Sequence, residues 1–180
     1  MSEVEPLAVK VQKYEAYVKL PWDRRLAGSQ RVWFVHYDPA QERRLRPRLG
    51  EFEIATKKAG HGWRLVDLTD AFPNWMAHHE YREAYFERPE DMELALADFA
   101  RYVAELVRGV VRSPEADDNT IVAILGVGAL FPVARVSELV EAVAPNIRGR
   151  LVVFYPGHRE GAIFHLLDAR EGWNYQAVSI

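Results

Sequence analysis

The spacing of apolar positions changes several times along the chain. Apolar residues recur every three or four positions between Leu7 and Val18, which is typical of one buried helix face. Val32–Val35 is instead an unbroken apolar run, and Asp38-Pro39 behind it joins a helix-capping residue to a proline suited to the first helical position. The first third of the chain is therefore predicted to contain a helix over residues 7–20, a strand over 31–37, a helix over much of 39–58 interrupted at Pro47, and a strand over 63–68.

The rest of the chain continues the alternation of helix and strand. Residues 71–88 are irregular or form short helices, and Pro89 then opens a helix with Glu90 and Asp91 in its first turn. Its buried stripe is predicted to be Met92, Leu96, Phe99, Val103, Leu106 and Val110. Further elements are predicted as strands at 121–125 and 151–155, a helix from Pro132 to Pro145, and a closing hairpin of 162–167 with 175–180.

Alternating strands and helices define the fold class. Strands that are apolar at every position, such as Ile121–Leu125, are buried on both faces and belong inside a parallel sheet. Right-handed crossovers then put helices on both sides of that sheet. We expect one α/β domain over residues 1–180, a three-layer sandwich with a mostly parallel, Rossmann-like sheet and a C-terminal antiparallel hairpin. The N-terminal helix packs on this domain.

Composition narrows the function classes. The 180 residues are 49% apolar and 27% charged, which fits a globular domain and excludes a disordered or collagen-like chain. A formal charge of -3 provides no global field to attract nucleic acid or an acidic membrane. The absence of cysteine excludes disulfides and thiol nucleophiles, and the acidic start Met-Ser-Glu-Val-Glu is unlike a signal peptide. We expect a cytoplasmic protein with no membrane contact.

The carboxyl ends of the predicted strands concentrate glycines, aromatic residues and charges. Ligands of open α/β sheets bind outside this edge. Capping of strands and helices requires the same residue types, so a ligand or partner site and a purely structural edge both remain open. The candidate residues at this edge are Asp38, Asp67, Gly126, Gly128, Phe131, Pro132, Tyr155, Pro156, Gly157 and Gly161.

Familiar catalytic and cofactor motifs are missing. After Gly128, a phosphate-binding loop would need Lys and then Ser or Thr, but Ala129 and Leu130 follow instead. No G-x-G-x-x-G follows the first strand, and His78-His79 lacks the i, i+4 spacing that aims two imidazoles at one zinc ion. We therefore predict no catalytic residue, no metal site and no cofactor.

Four arginines form the densest basic run, Arg43, Arg44, Arg46 and Arg48. They are suited either to phosphate contacts or to a solvated helix face. The flanking Glu42 and Glu51, and the lack of interleaved aromatic residues, favour the solvated face. DNA contact is expected to be at most weak or indirect.

The C-terminal third carries a family resemblance. It contains a strand ending in Gly-Val-Gly within Ala123–Pro132, Arg135 in the following segment, a Phe-Tyr-Pro-Gly strand end within Leu151–Gly157, Gly161, and Asn174-Tyr175. In order and spacing these features resemble the BrxB family of BREX phage-exclusion systems. Residues 118–180 resemble it well, and the remainder of the chain does so only in layout.

Two departures from the family pattern indicate a divergent member. His158 to Ala162 stand where the family usually has a Tyr-Asp-Gly-Gln run, and Gln176 follows Tyr175 where a second tyrosine is common. The resemblance adds Arg135, Asn174 and Tyr175 to the candidate site residues. Arg135 is expected either to form an internal ion pair or to meet an acidic group of a partner or an anionic ligand.

The resemblance implies a component of a bacterial anti-phage system without established catalytic activity. In such systems it acts beside PglZ, an alkaline-phosphatase-superfamily protein, with a large ATPase and a DNA methyltransferase. The function expected is a non-enzymatic adaptor or assembly subunit with a PglZ-like partner and other BREX components. The alternatives are a small-ligand or nucleotide-binding regulatory domain that uses the glycine-lined edge, and an accessory DNA-binding module built on the arginine run.

Overall fold

The computed structural model describes residues 4–161, 163–166, 169–170 (backbone only) and 177–180. Its strands, in chain order, are β1 (Val32–Tyr37), β2 (Gly62–Asp67), β3 (Thr120–Leu125), β4 (Arg150–Glu160), β5 (Ile163–Leu166), β6 (Ala169–Arg170) and β7 (Val178–Ser179). The four strands predicted between residues 31 and 155 are thereby confirmed, and β4 extends past its predicted end.

Helices connect these strands. They are α1 (Leu7–Val18), α2 (Glu42–Leu45), α3 (Leu49–Lys58), α4 (Ala71–Ala77), α5 (Arg82–Glu87), α6 (Leu96–Val111) and α7 (Val136–Val143). Short 3₁₀ helices cover Gly28–Arg31, Pro39–Gln41, Arg46–Arg48, Pro89–Ala95, Val127–Leu130 and Ala144–Asn146. The predicted interruption at Pro47 is confirmed, because this proline lies in the 3₁₀ turn between α2 and α3. Among the described helices, none has the length and apolarity that crossing a membrane requires.

The main sheet is parallel, with strand order β2-β3-β4-β1-β7. The chain passes from β1 to the far edge at β2, returns through β3 to β4, and β4 then lies beside β1 in the register Val32↔Leu151 to Tyr37↔Pro156. The α/β class and the mostly parallel sheet are confirmed. The Rossmann-like topology is not, because the first and second strands of dinucleotide-binding folds are adjacent and here β3 and β4 separate them.

Both faces of the sheet are buried. Successive residues of β1 alternate between two apolar clusters, with Phe34 in one and Val35 in the other. The first cluster contains side chains of α4, α6 and α7, and the second contains side chains of α1, α2 and α3. The described residues therefore form three layers, as the apolar runs of the central strands predict.

The predicted closing hairpin is not confirmed. β5 pairs with the end of β4 in antiparallel register and with β6 on its other side. β7 instead pairs with β1 in parallel, where the Ile180 nitrogen donates to the carbonyl oxygen of Phe34. Residues 171–176, which include the start of the second predicted hairpin strand, lie outside the described residues.

Two helices begin at residues other than those predicted. Residues 89–95 form a 3₁₀ helix before α6, and the buried stripe runs through Ala95, Phe99, Val103, Val107 and Val111 rather than through Leu106 and Val110. Pro132 does not open α7. The nitrogens of Val133 and Ala134 donate to the carbonyl oxygen of Leu130, and α7 begins only at Val136, with Arg135 as its N-cap residue.

Candidate functional site

A cleft of about 330 Å³ lies at the carboxyl ends of β1 to β4. Three of the predicted edge residues, Gly126, Gly128 and Pro156, line it. The other lining residues are Pro39, Glu42, Arg46, Thr69 and Ala129. Gly126 and Gly128 in the turn after β3 and Pro156 in β4 thus lie at one edge of the sheet, although nothing in this geometry names a ligand.

An ion-pair network covers one wall of this cleft. Arg46 Nη1 lies 3.1 Å from Asp67 Oδ2, and Arg46 Nη2 donates a 2.5 Å hydrogen bond to Thr69 Oγ1. Asp67 Oδ1 in turn accepts hydrogen bonds from the Thr69 nitrogen at 3.0 Å and the Thr69 hydroxyl at 2.5 Å. Glu42 Oε1 lies 3.3 Å from Arg46 Nε, and the other carboxylate oxygen, Oε2, accepts a hydrogen bond from the Tyr37 hydroxyl. Each charged group of this wall is therefore paired with one of opposite charge.

The pKa shifts in the network follow from these contacts. Partial burial by itself raises the pKa of Asp67, but the hydrogen bonds from Thr69 and the charge of Arg46 outweigh it and hold the pKa below its usual range. Burial raises the pKa of Tyr37, and its hydrogen bond to the Glu42 carboxylate raises it further. Asp67 is therefore ionised and Tyr37 protonated at neutral pH, which suits a hydrogen-bonded scaffold.

Position 126 requires a glycine because of its backbone conformation and because of the close neighbours a Cβ would meet. Its φ of 81° lies in the left-handed region that other residues rarely adopt. A Cβ at this position would lie 2.5 Å from Thr69 Oγ1 and 2.6 Å from the Thr69 nitrogen. The glycine therefore lets the turn after β3 approach the Asp67–Thr69 segment of the neighbouring strand end. Gly128 needs no positive φ, and a Cβ there would meet only Pro156 Cγ, at 3.1 Å.

Asp38 has a capping role. Its Oδ1 accepts a 2.8 Å hydrogen bond from the Ala40 nitrogen, and Pro39 occupies the first position of the 3₁₀ helix that follows. The predicted Asp38-Pro39 cap is therefore confirmed. Asp38 also lines a second cavity of about 460 Å³ together with His36 and Gly157.

His36 lies partly buried at the end of β1 beside a buried lysine. Lys10 Nζ is 3.5 Å from His36 Nε2, donates a 3.1 Å hydrogen bond to the carbonyl oxygen of Ile180, and lies 2.8 Å from Glu5 Oε2. Burial, together with the positive charge of Lys10, lowers the pKa of His36 to about 4. The imidazole is therefore neutral at pH 7. The sequence contains no signal for the burial of Lys10, because a lysine on a helix face is usually solvated.

Tyr155, Gly157 and Gly161 have structural explanations. The Tyr155 ring is buried against Phe34 and Phe164, with centroids 5.5 Å and 5.7 Å away, and does not face the cleft. A Cβ on Gly157 would overlap the carbonyl oxygen of His165, so glycine permits the pairing of β4 with β5. Gly161 has a φ of 61° at the turn between these two strands.

The remaining predicted site residues are not part of the cleft. Phe131 and Pro132, which are joined by a cis peptide bond, are exposed beyond it. Arg135 is exposed and lines a separate cavity of about 180 Å³ between α6 and α7. Among the described residues it has no ion-pair partner. Asn174 and Tyr175 lie outside the described residues.

The arginine run is divided between two roles. Arg46 is bound by Glu42 and Asp67, and Arg48 Nε lies 2.8 Å from Glu51 Oε1. Arg43 and Arg44 are exposed on α2. Sequence reasoning placed Arg46 on a solvated face and missed its role in the cleft. Its i, i+4 spacing from Glu42 is visible in the sequence, but its pairing with Asp67 depends on the fold.

One protein-family model matches the sequence. Searches against curated proteins and against solved structures gave no match. The family model described as BrxB, BREX protein BrxB, matches residues 66–180. The match starts at the end of β2 and includes the cleft residues Thr69, Gly126, Gly128 and Pro156. Because it spans more than half of the chain, the protein belongs to the BrxB family and is a component of the BREX anti-phage defence systems.

Proposed function

We propose that the protein is a non-enzymatic adaptor of a BREX complex, working in the cytoplasm and binding a PglZ-like partner. Membership of the BrxB family supports the defence context. The structural support for an adaptor is an exposed apolar surface on the side of the sheet that carries α4, α6 and α7.

This surface is formed by Tyr81, Phe86 and Leu94, and we call it the 81–94 surface. Phe86 is 71% exposed and Leu94 is 91% exposed. They lie on α5 and on the 3₁₀ helix Pro89–Ala95, which contacts α5. α5 has no buried residue among its own side chains. Exposed large apolar side chains on adjoining short helices favour a protein interaction site.

The charge around the 81–94 surface indicates what kind of partner fits. Residues 80–94 contain six acidic residues and two arginines. An apolar centre with an acidic rim complements a partner surface with apolar anchors and basic residues around them. The partner is therefore expected to present such a basic rim.

The carboxyl-edge cleft supports a non-enzymatic role. Arg46, a cation that lines it, is already bound by Asp67 and Glu42 rather than free to hold a phosphate. Asp67 is held ionised by Thr69 and Arg46, which is unsuited to a general acid or base poised near pH 7. DNA contact is proposed to be at most weak, since Arg46 and Arg48 are both paired with acidic residues.

The adaptor function is tested by co-purification with the PglZ-like protein of the same BREX locus. Phe86→Ser and Leu94→Ser should reduce capture at least tenfold while the melting temperature stays unchanged, because both side chains are exposed. Ile54→Ser is the matched control, since Ile54 is 55% exposed but lies on α3, across the sheet. Equal capture by wild type and both variants would exclude the 81–94 surface. No capture by wild type would reject the PglZ-like partner.

A second candidate function is binding of a small ligand at the edge cleft. The volume of about 330 Å³ and the glycine-lined turn favour it. A ligand that binds only the folded state raises the melting temperature with its concentration. A thermal-shift screen of nucleotides and small metabolites tests this function, and flat melting curves would reject it.

A further inference from the structure

The end of β4 leaves the main sheet and forms a ribbon with β5. Residues 157–160 of β4 pair with β5 in antiparallel register, whereas the preceding residues pair with β1 and β3. His158 to Glu160 are exposed. This ribbon carries side chains that neither the cleft nor the 81–94 surface uses.

Three of these side chains lie on one face of the ribbon. His158 and Glu160 are two residues apart on β4 and therefore point to the same side. His165 lies directly opposite His158 in the register. The two imidazole rings are parallel, with centroids 4.9 Å apart and planes 4° from each other. His165 Nε2 is 3.6 Å from Glu160 Oε2.

The backbone and the opposite face hold this arrangement in place. Phe164 is fully buried and anchors β5 to the core. Arg159 lies opposite Phe164 in the register, with its guanidinium 5.7 Å from the ring centroid. Arg159 Nε donates a 2.7 Å hydrogen bond to the Gly161 carbonyl oxygen. Its charge is thereby held on the face away from the two imidazoles.

We propose that His158, Glu160 and His165 bind a zinc ion. One ligand atom from each of the three lies within 4.8 Å of those from the other two. Ligand nitrogens around a tetrahedral zinc ion, at metal distances of about 2.0–2.1 Å, are roughly 3.3 Å apart. Rotation of the exposed His158 and Glu160 side chains brings the three ligand atoms to that spacing.

The donor set determines the class of metal. Two imidazoles and one carboxylate suit Zn²⁺ and neighbouring transition metals, whereas Mg²⁺ and Ca²⁺ favour sites made wholly of oxygen. Three protein ligands leave a fourth position for water, whereas closed structural zinc sites have four protein ligands. The ion would cross-link the two strands of the ribbon beyond the region where the core holds them.

The test is a calorimetric titration of the tag-free protein with zinc chloride. Wild type should bind one equivalent, and His158→Gln and His165→Gln should each lower the affinity at least tenfold. His78→Gln is the matched control, because His78 is exposed and its Nδ1 lies 2.8 Å from the Asn74 carbonyl oxygen of its own helix. It should bind zinc as wild type does.

The absorption spectrum with Co²⁺ is a second readout, and the melting temperature measured without metal separates loss of the site from a folding defect. A Co²⁺ ion held by this set should show visible absorption bands, and both glutamine variants should lose them while melting at the wild-type temperature without metal. No zinc binding by wild type would overturn the proposal. So would equal affinity in wild type, His158→Gln and His165→Gln, since the zinc would then lie elsewhere.

Discussion

Arg46 and Asp67, 21 residues apart in the chain, are joined by a 3.1 Å contact between Nη1 and Oδ2. Arg46 follows β1 and Asp67 ends β2, yet β3 and β4 separate these two strands in the sheet. The ion pair therefore spans the carboxyl edge above both intervening strands. It fixes the wall of the cleft where Thr69 and Gly126 meet.

A double-mutant cycle measures this connection. Arg46→Gln and Asp67→Asn should show a coupling energy of about 0.5–1 kcal/mol in urea unfolding at low salt, because both side chains are partly exposed and water screens the pair. Arg48→Gln with Glu51→Gln is the control, a pair within one helical turn that spans no strands. A coupling energy near zero for Arg46 and Asp67 would show that the pair does not stabilise the edge.

The same pair predicts how the edge responds to acid. The pKa of Asp67 is lowered in the folded protein. Its contribution to the free energy of unfolding is therefore complete above the usual aspartate pKa of about 3.9, and it is lost as the pH falls through the lower folded pKa. Wild type and Asp67→Asn should therefore differ in stability at pH 7 and converge in strong acid. Unfolding curves of both proteins from pH 7 to 2 measure this. A difference that stays the same from pH 7 to 2 would contradict it.

Gly126 should be the least replaceable residue of the cleft. Gly126→Ala combines a φ of 81° with a Cβ 2.5 Å from Thr69 Oγ1, and we expect it to lower the free energy of unfolding by about 2–3 kcal/mol. Gly128→Ala should cost about 1 kcal/mol or less, since its Cβ meets only Pro156 Cγ at 3.1 Å. Equal stability of the two variants in urea unfolding would contradict the left-handed turn.

His36 should make the protein lose stability in mild acid. Its folded pKa of about 4 lies below its ordinary value of 6.5, so the unfolded chain binds the proton more readily between these values. Stability is lost as the pH falls from about 6.5 to about 4. Because the ring is only partly buried, the loss should be about 1–2 kcal/mol, less than the full shift would give.

The check for His36 compares His36→Gln with wild type in urea unfolding at pH 7, 5.5 and 4.5. The variant should lose less stability over this range. His78→Gln, which changes an exposed histidine, should follow wild type. If His36→Gln and wild type fall in parallel, another group causes the acid sensitivity.

Apolar spacing predicted the sheet well because the central strands are buried on both faces. The predicted buried face of α6 was partly wrong, because one α-helical period was applied from Pro89 onward. Residues 89–95 are a 3₁₀ helix with a shorter repeat. The buried positions then follow the i, i+4 row from Phe99 through Val107, and Leu106 is left 39% exposed.

Contacts between separate strands were not visible in the sequence. The two-residue strand β7 has no period from which a partner can be predicted, and its place beside β1 depends on a hydrogen bond from Ile180 to Phe34. The His158, Glu160 and His165 cluster was missed for the same reason. A search for metal ligands at helical spacing cannot find ligands that an antiparallel register brings together.

Arg135 should contribute little to stability and is a test of partner binding. The helix predicted from Pro132 would place Arg135 in its first turn, where a cation opposes the helix dipole. In the structure it is the exposed N-cap residue of α7. It has no ion-pair partner among residues 4–161, 163–166 and 177–180. Arg135→Ala should therefore keep the free energy of unfolding within about 0.5 kcal/mol of wild type.

Arg108→Ala is the matched control for Arg135, since both arginines line the cavity between α6 and α7. Arg108 Nη2 donates a 3.0 Å hydrogen bond to the Ala142 carbonyl oxygen, so its loss should lower the free energy of unfolding by about 1–2 kcal/mol. Capture of the PglZ-like protein then decides the role of Arg135. Loss of capture with unchanged melting would place Arg135 at a partner contact, because no internal pair would explain it. Wild-type melting and capture together would leave it a solvated residue, and lower melting would mean that it has an internal partner after all.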